Sequence, residues 1–222
     1  MVTAQPMVMY VDGSRPLTPD TVRTLAAACD AADDRGERGV VVVHVSGVPA
    51  GDWAGGLSTP LVSKWERTVR RLESLPVVTI AVADGECGGT ALDALLATDY
   101  RIAGAGTRLL LPGTAAGAWP GMALFRLARQ AAGTASARQA ILFGKPISAG
   151  EALGIGLIDE VAADVTTALG KAIELAVSMP GSELAIRRQL MTEALTVSYE
   201  DALGAHLAAC DRALRRETAS AA

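Results

Sequence analysis

The sequence of 222 residues has few of the residue types that build metal, redox and nucleic-acid sites. Its three cysteines, Cys29, Cys87 and Cys210, have no Cys-x-x-Cys spacing, which argues against a zinc site and a disulfide framework. With only two histidines, His44 and His206, a histidine metal site is close to excluded. The net charge is −4, and no run of like charges exceeds three residues, so electrostatic binding to nucleic acid is not expected. Sparse thiols are typical of a reducing compartment, so we predict a cytoplasmic protein without a bound metal.

Long apolar segments are also missing. The longest uncharged stretch, residues 109–125, is interrupted by Pro112, Pro120 and several glycines, so it is not expected to span a membrane. The first ten residues have neither a basic nor an apolar region, so no secretory signal is predicted. Aromatic residues make up 4% of the chain but hydrophobic residues make up 50%, which predicts a core of Ala, Val, Leu and Ile.

The hydrophobic pattern predicts an α/β fold. Two β-branched runs, residues 39–45 and 76–83, are typical of strands buried on both faces, and amphipathic helical segments alternate with them. Thr18-Pro19 and the Ser148-x-x-Glu151 capping box predict helix starts. From about residue 134 the chain is predicted to be almost entirely helical. We therefore divide it into an α/β core, residues 1–165, and a helical packing or oligomerisation region, residues 166–222.

A glycine-rich turn at residues 84–90 follows the second buried strand. Glycines at such a turn let backbone N–H groups approach a ligand, and two N–H groups aimed at one point form an oxyanion hole. A tight strand–helix turn explains the same glycines without any ligand, and both interpretations remain open. The turn has neither the Gly-Lys-Ser/Thr ending of a phosphate-binding loop nor the G-x-G-x-x-G dinucleotide pattern.

Several reactive side chains lie in or near the buried segments. Asp93, one turn into the next helix, is a candidate general acid or base, or an acid favoured by the helix dipole. Glu86 is expected to be solvated, and Cys87 has no nearby histidine to activate it. His44 is predicted to be a hydrogen-bonded histidine of the sheet. The pair Arg187-Arg188 is predicted to lie on a solvated helix face rather than to bind a phosphate.

Three segments carry a family resemblance. The segment at 141–161, ILFGKPISAGEALGIGLIDEV, is similar to a helix pair and strand of the crotonase (enoyl-CoA hydratase/isomerase) superfamily. Residues 78–103 resemble that family's strand, glycine turn and helix, and residues 117–121, GAWPG, resemble a later loop. Their order along the chain also matches the family.

The resemblance implies a spiral of β-β-α turns with a helical C-terminal region, assembled as a homotrimer or hexamer. It implies an acyl-CoA thioester as substrate, without a separate cofactor, a nucleic-acid partner or a membrane. Two backbone N–H groups would hold the thioester oxygen, one from Thr90 and the other from Ala50 or Gly51. The residues that the resemblance assigns to substrate binding are Gly88, Gly89, Gly113 and Trp119.

Two departures from the family pattern bear on the reaction. Asp93 lies where the family has its first catalytic acid, and Gly113 lies where the family has its second, so one carboxylate is missing. Adding or removing water with paired acids is therefore not expected to proceed by the usual arrangement of the family. One carboxylate and an oxyanion hole are still compatible with isomerisation, dehydration with tautomerisation, or thioester cleavage.

Four further segments resemble one specialised bacterial branch: residues 61–67, 87–99, 119–122 and 183–190. That branch is the accessory crotonase-like subunit of 3,5-dihydroxyphenylacetyl-CoA synthesis, which supplies dihydroxyphenylglycine for glycopeptide antibiotics. The resemblance implies a protein that assists a type III polyketide synthase by promoting dehydration, aromatisation or product release. Two alternatives are a non-catalytic subunit that stabilises the synthase and a general enoyl-CoA hydratase or isomerase.

Overall fold

The computed structural model describes residues 5–35, 39–51, 53–111, 113–114, 117–131, 133–178 and 181–220. The strands are β1 (Met7–Asp12), β2 (Val40–Gly47), β3 (Val78–Gly88), β4 (Tyr100–Gly104), β5 (Arg108–Leu110), β6 (Gly113–Thr114), β7 (Gly117–Ala118), β8 (Ile147–Ser148) and β9 (Glu160–Ala162). The helices are α1 (Pro19–Asp34), α2 (Thr59–Glu73), α3 (Thr90–Leu95), α4 (Ala123–Ala131), α5 (Ala135–Phe143), α6 (Ala149–Gly154), α7 (Val165–Val177), α8 (Gly181–Glu193) and α9 (Tyr199–Ser220).

The main sheet is parallel along the strand order β1-β2-β3-β4-β9. Strand β3 is long enough to take part in two sections of this sheet. Its first half pairs with β2 and β4, while its last residues, 86–88, pair with β5, which continues to β8. The predicted α/β class is confirmed, and the two halves of β3 bring the ends of several strands to one place.

Both faces of the sheet are buried, as the β-branched runs predict. One face, including Val41, Val43 and Ala81, belongs to the larger apolar cluster with α1, α2 and α3. The other face, including Val42 and Ile80, packs against alanines of α7. This burial on two sides explains why strands β2 and β3 contain almost no polar side chain in their first halves.

Local hydrogen bonds start the helices where the sequence predicts them. The Thr18 side chain accepts a hydrogen bond from the backbone N–H of Thr21, and Pro19 is the first residue of α1. Ser148 and Glu151 form the predicted reciprocal capping box at the start of α6. These contacts satisfy N–H groups that have no partner inside the helix.

The last three helices differ in how they contact the rest of the chain. Helix α7 packs on the sheet, whereas α8 and α9 contact each other, and α9 keeps large apolar side chains such as Leu203 and Leu207 exposed. The oligomerisation role of residues 166–222 stays a prediction. Within the described residues, no helix combines the length and apolar character needed to cross a bilayer.

Candidate functional site

The two loops predicted to supply backbone N–H groups lie against each other. Gly47 at the end of β2 pairs with Cys87 near the end of β3, so the segments that follow these strands leave the sheet side by side. A Cβ atom built on Gly89 would lie only 2.4 Å from Cγ of Pro49. The structure therefore brings the loop of Ala50 and Gly51 to the turn of Gly89 and Thr90.

Gly13, in the turn after β1, packs against the ends of β2 and β3. A Cβ atom at Gly13 would lie 2.3 Å from the carbonyl oxygen of Gly88 and 2.4 Å from that of Gly47. The Gly13 N–H donates to the carbonyl of Ser46 at 2.7 Å. The turn after β1 thus holds the carboxyl ends of β2 and β3 in register, and only a residue without a side chain fits there.

Asp93 lies on α3 and is completely buried, with 0% of its surface exposed. Its Oδ2 atom accepts hydrogen bonds from the indole Nε1–H groups of Trp65 and Trp119, both at 2.9 Å. Its Oδ1 atom accepts one from the backbone N–H of Ala123 at 2.7 Å. One carboxylate therefore joins α2, the loop before α4, and the first residue of α4.

The surroundings of Asp93 move the pKa of its carboxyl group toward neutral pH. Burial, followed by the negative charge of Glu66, raises the pKa of Asp93 from 3.8 to about 6. The hydrogen bonds from Trp119 and Trp65 and the charge of Arg126 act in the opposite direction. A pKa near neutrality suits a general acid or base, whereas full burial and three N–H donors suit an anchor. The acid/base role of Asp93 stays a prediction.

The raised pKa predicts a measurable pH dependence of stability. The folded chain holds the Asp93 proton up to about pH 6. The unfolded chain releases it near pH 4, so ionisation favours unfolding between these values. The difference corresponds to about 3 kcal/mol of stability that is present below pH 4 and lost as the pH rises to 6. We expect carbon NMR of the Asp93 carboxyl group to titrate near pH 6, while the exposed cap Asp164, whose pKa is lowered by hydrogen bonds from Thr167, titrates below 3.8. A midpoint near 4 for Asp93 would contradict the prediction.

Glu66 supports the same helix end, a feature that sequence analysis missed. Its Oε1 atom accepts from the backbone N–H of Met122 at 2.7 Å, and its Oε2 atom accepts from the Arg126 guanidinium at 3.1 Å. Two carboxylates, those of Glu66 and Asp93, therefore bind the backbone N–H groups that open α4. Negative charge at a helix N-terminus is favourable because it meets the positive end of the helix dipole. No local pattern around Glu66 indicates this contact, because its partner Met122 lies 56 residues further along the chain.

Gly113 and Trp119 lie on one short hairpin. Gly113 in β6 pairs with Ala118 in β7, and Trp119 follows directly. The Trp119 side chain is buried, and its ring centroid lies 5.4 Å from that of the half-buried Trp53. A Cβ atom at Gly121 would lie 2.3 Å from Oδ2 of Asp93. Residues 117–121 therefore pack against the buried carboxylate of Asp93. Trp119 contacts Asp93 through its indole N–H and Trp53 through its ring.

The other candidate side chains, those of Cys87, Glu86 and His44, are less suited to chemistry on a bound ligand. Cys87 is fully buried, and burial raises its pKa to about 12, so its thiolate is not accessible at neutral pH. Glu86 is exposed and pairs with Arg108 at 3.3 Å. His44 lies in β2, as predicted, where its ring centroid is 5.1 Å from that of Tyr10 and burial lowers its pKa; the hydrogen bond of its ring stays a prediction. Within the described residues, no group of three His, Cys, Asp or Glu side chains is placed to hold a metal ion.

The prediction that Arg188 lies on a solvated helix face is wrong. Only 12% of its side chain is exposed, and its guanidinium donates to both carboxylate oxygens of Asp99 at 2.7 Å. It also donates to the carbonyl groups of Leu75 and Val77. Arg188 therefore attaches α8 to the core instead of facing solvent.

Comparisons with known proteins agree on one family. The model of a family described as enoyl-CoA hydratase/isomerase matches residues 54–222. A protein of Amycolatopsis orientalis named enoyl-CoA-hydratase is 54% identical over 214 residues, which cover 96% of this chain and 98% of that protein. 

Solved structures show the same fold at low sequence identity. An enoyl-CoA hydratase/isomerase from Marinobacter aquaeolei has a TM-score of 0.80 and 19% identity, over 94% of this chain and 87% of that chain. An enoyl-CoA hydratase from Polaromonas sp. JS666 has a TM-score of 0.80 and 18% identity, over 98% of this chain and 92% of that chain. The backbone arrangement is thus shared although most side chains differ.

Proposed function

Because the chain belongs to the enoyl-CoA hydratase/isomerase family, we propose that it binds a polyketide acyl-CoA thioester. In this proposal it assists a type III polyketide synthase in forming 3,5-dihydroxyphenylacetyl-CoA, the precursor of dihydroxyphenylglycine. The thioester oxygen accepts hydrogen bonds from the backbone N–H of Thr90 and from that of Ala50 or Gly51. No cofactor other than the acyl-CoA itself takes part.

One observation carries the choice of reaction: the two donor loops are in contact, but the two family acid positions offer only one carboxylate, that of Asp93. Pro49 packs on Gly89, Asp93 is fully buried, and position 113 is glycine. Adding water needs an acid and a base that reach the substrate. Stabilising an enolate needs donors aimed at the thioester oxygen, and dehydration followed by aromatisation passes through such an anion. Removing water needs the same acid and base as adding it, so dehydration depends on Asp93 as the proton carrier. The donor loops by themselves support aromatisation by tautomerisation or product release over hydration.

Asp93 has two candidate roles in the proposal. As a proton carrier it uses a pKa of about 6, which lets it exchange protons near neutral pH. As a positioning residue it keeps Trp119 and the start of α4 in place next to the donor loops. The two roles differ in the pH profile of the reaction, because only the first makes the rate follow the titration of Asp93.

The test is the rate of 3,5-dihydroxyphenylacetyl-CoA formation from malonyl-CoA by the cognate synthase. It is measured with the synthase alone, with the wild-type chain, and with Asp93→Asn after circular dichroism has confirmed that the variant folds. Acceleration by the wild type and not by the variant supports a site that acts on the polyketide thioester made by the synthase. Equal acceleration by both identifies a partner subunit, and no acceleration by either contradicts the pathway.

A Gly89→Ala substitution tests the contact between the two donor loops. Gly89 has a φ of +56°, and the new methyl group would lie 2.4 Å from Cγ of Pro49, so the loops must separate. We expect at least a tenfold loss in affinity for an acyl-CoA in isothermal titration calorimetry, with the fold retained. 

Gly85→Ala is the matched control for this loop test. Gly85 has a similar φ of +64°, but nothing lies within 4 Å of its added Cβ atom. If both variants lose the same affinity, backbone strain explains the loss and the contact between the loops does not.

A non-catalytic subunit that stabilises the synthase is the second candidate function. Complete burial of Asp93 and the exposed apolar side chains of α9 favour it. It predicts a stable complex with the synthase in analytical ultracentrifugation and a raised synthase melting temperature that Gly89→Ala leaves unchanged. The same experiment measures whether this chain forms the trimer or hexamer that we propose.

A general enoyl-CoA hydratase is the third candidate, favoured by the name of the Amycolatopsis orientalis relative. The direct measurement is the hydration of crotonyl-CoA, monitored by the loss of absorbance of this substrate. We expect weak or no turnover because position 113 carries no carboxylate. Turnover comparable to that of a hydratase would favour this candidate over the polyketide proposal.

A further inference from the structure

The hydroxyl group of Thr90 is the exception among the buried threonines of the described residues. Thr90 is 1% exposed, and its Oγ1 atom has no hydrogen-bond partner. The hydroxyl groups of the other four buried threonines all donate to protein oxygens. Thr68 donates to the Lys64 carbonyl, Thr79 to the Asp99 carboxylate, Thr98 to the Leu95 carbonyl and Thr107 to the Ala83 carbonyl. Buried polar groups are nearly always paired, so the unpaired Thr90 hydroxyl calls for a partner that the chain itself does not supply.

The position of Thr90 indicates where that partner would bind. Thr90 is the first residue of α3 and follows Gly89, on which a Cβ atom would lie 2.4 Å from Cγ of Pro49. Its own backbone N–H is the proposed donor to the thioester oxygen. Since Oγ1 is three covalent bonds from that nitrogen, the two donors of Thr90 reach atoms only a few ångströms apart. A ligand oxygen close to the thioester oxygen is therefore the natural partner of the hydroxyl.

We propose that the Thr90 hydroxyl hydrogen-bonds the oxygen on carbon 3 of the bound acyl chain and so selects 3-oxoacyl and 3-hydroxyacyl thioesters over plain acyl thioesters. This inference rests on the proposed function, because it assumes that the thioester oxygen binds at the same residue. Polyketide chains carry this oxygen and saturated fatty acyl chains do not. A site that pairs with an oxygen discriminates against an analogue without it, since binding the analogue leaves the polar group unpaired.

The experiment compares acetoacetyl-CoA with butyryl-CoA, which differ in the oxygen on carbon 3. Affinities are measured by isothermal titration calorimetry for the wild type, Thr90→Val and Thr90→Ser. We expect the wild type to prefer acetoacetyl-CoA by about tenfold or more. Thr90→Val, which keeps the shape and removes the hydroxyl, should abolish the preference, and Thr90→Ser should retain it.

The melting temperature without ligand separates a ligand-directed hydroxyl from a structural one. Thr90→Val removes an unpaired buried polar group, so we expect an increase of about 2–4 °C. The control is Thr98→Val, because the Thr98 hydroxyl donates to the Leu95 carbonyl at 2.7 Å. That variant should melt at a lower temperature than the wild type and keep the preference for acetoacetyl-CoA.

The outcomes distinguish failure of this inference from failure of the proposed function. A lower melting temperature for Thr90→Val, as for Thr98→Val, overturns the inference because the hydroxyl then has a partner within the protein. Equal binding of both thioesters by the wild type, or a preference that survives in Thr90→Val, overturns it while thioester binding stands. If the wild type binds neither thioester, both the proposed function and the inference fail.

Discussion

An Asp93→Ala variant is expected to lose about 3–5 kcal/mol in free energy of unfolding, the range for breaking a buried polar network. The substitution leaves the N–H groups of Trp65, Trp119 and Ala123 buried without their acceptor. Each unpaired buried donor costs about 1–3 kcal/mol, and the missing carboxyl group also leaves a cavity. Loss of the buried negative charge offsets only part of this, since its ionisation disfavours folding by about 3 kcal/mol at neutral pH.

Urea denaturation at pH 7, followed by tryptophan fluorescence, measures this loss. Two of the three tryptophans of the chain donate to Asp93, so native fluorescence should change as well. The exposed Glu174→Ala is the control and should lie within about 0.5 kcal/mol of the wild type. A loss below 1 kcal/mol for Asp93→Ala would mean that the carboxylate does not hold these elements together.

The free energy of unfolding of Asp93→Asn should lie between those of Asp93→Ala and Glu174→Ala. The amide keeps the volume and one acceptor oxygen, but its NH₂ group must face either the indole donors or the Ala123 N–H. This conflict has a consequence for the synthase assay: loss of activity in Asp93→Asn supports proton transfer only if the pH profile changes too. A variant that merely displaces Trp119 lowers the rate at every pH.

The fold was predictable from the sequence wherever local patterns decide the structure. Strands β2 and β3 follow from β-branched runs, and the starts of α1 and α6 follow from the caps at Thr18 and Ser148. The division of β3 between two sets of neighbours was not predictable, because it depends on pairing between residues 86–88 and the distant 108–110. Local sequence carries no signal for such a contact.

The candidate site shows the same limit more sharply. The glycine turn and the Ala50-Gly51 loop were recognised, and the structure places them together through Pro49 and Gly89. The position of Asp93 in the sequence indicates an interaction with the dipole of its own helix, whereas the carboxylate binds the start of α4, 30 residues further along the chain. The chemistry of the interaction, an acid at a helix N-terminus, was anticipated, but the identity of the helix was not.

Arg188→Met is expected to destabilise the chain by about 3–5 kcal/mol, the range for removing one partner of a buried ion pair. The side chain carries two hydrogen bonds to Asp99 and two to backbone carbonyl groups of the segment before β3. Asp99 also accepts hydrogen bonds from the N–H and hydroxyl of Thr79, so these contacts hold it in its half-buried position when the guanidinium is removed. A half-buried carboxylate without its cationic partner and a detached α8 should both result.

The neighbouring Arg187→Met provides a matched control, because 62% of the Arg187 side chain is exposed and it pairs with Glu183 within one helix. Such surface pairs contribute about 0–1 kcal/mol, so the control should hardly differ from the wild type. Hydrogen exchange should report faster opening of residues 181–193 in Arg188→Met only. Asp99→Asn in the same chain should recover part of the lost stability, since it removes the unpaired charge. If Arg187→Met and Arg188→Met unfold at the same urea concentration, the contact with Asp99 does not hold α8 on the core, and the attachment must come from apolar packing.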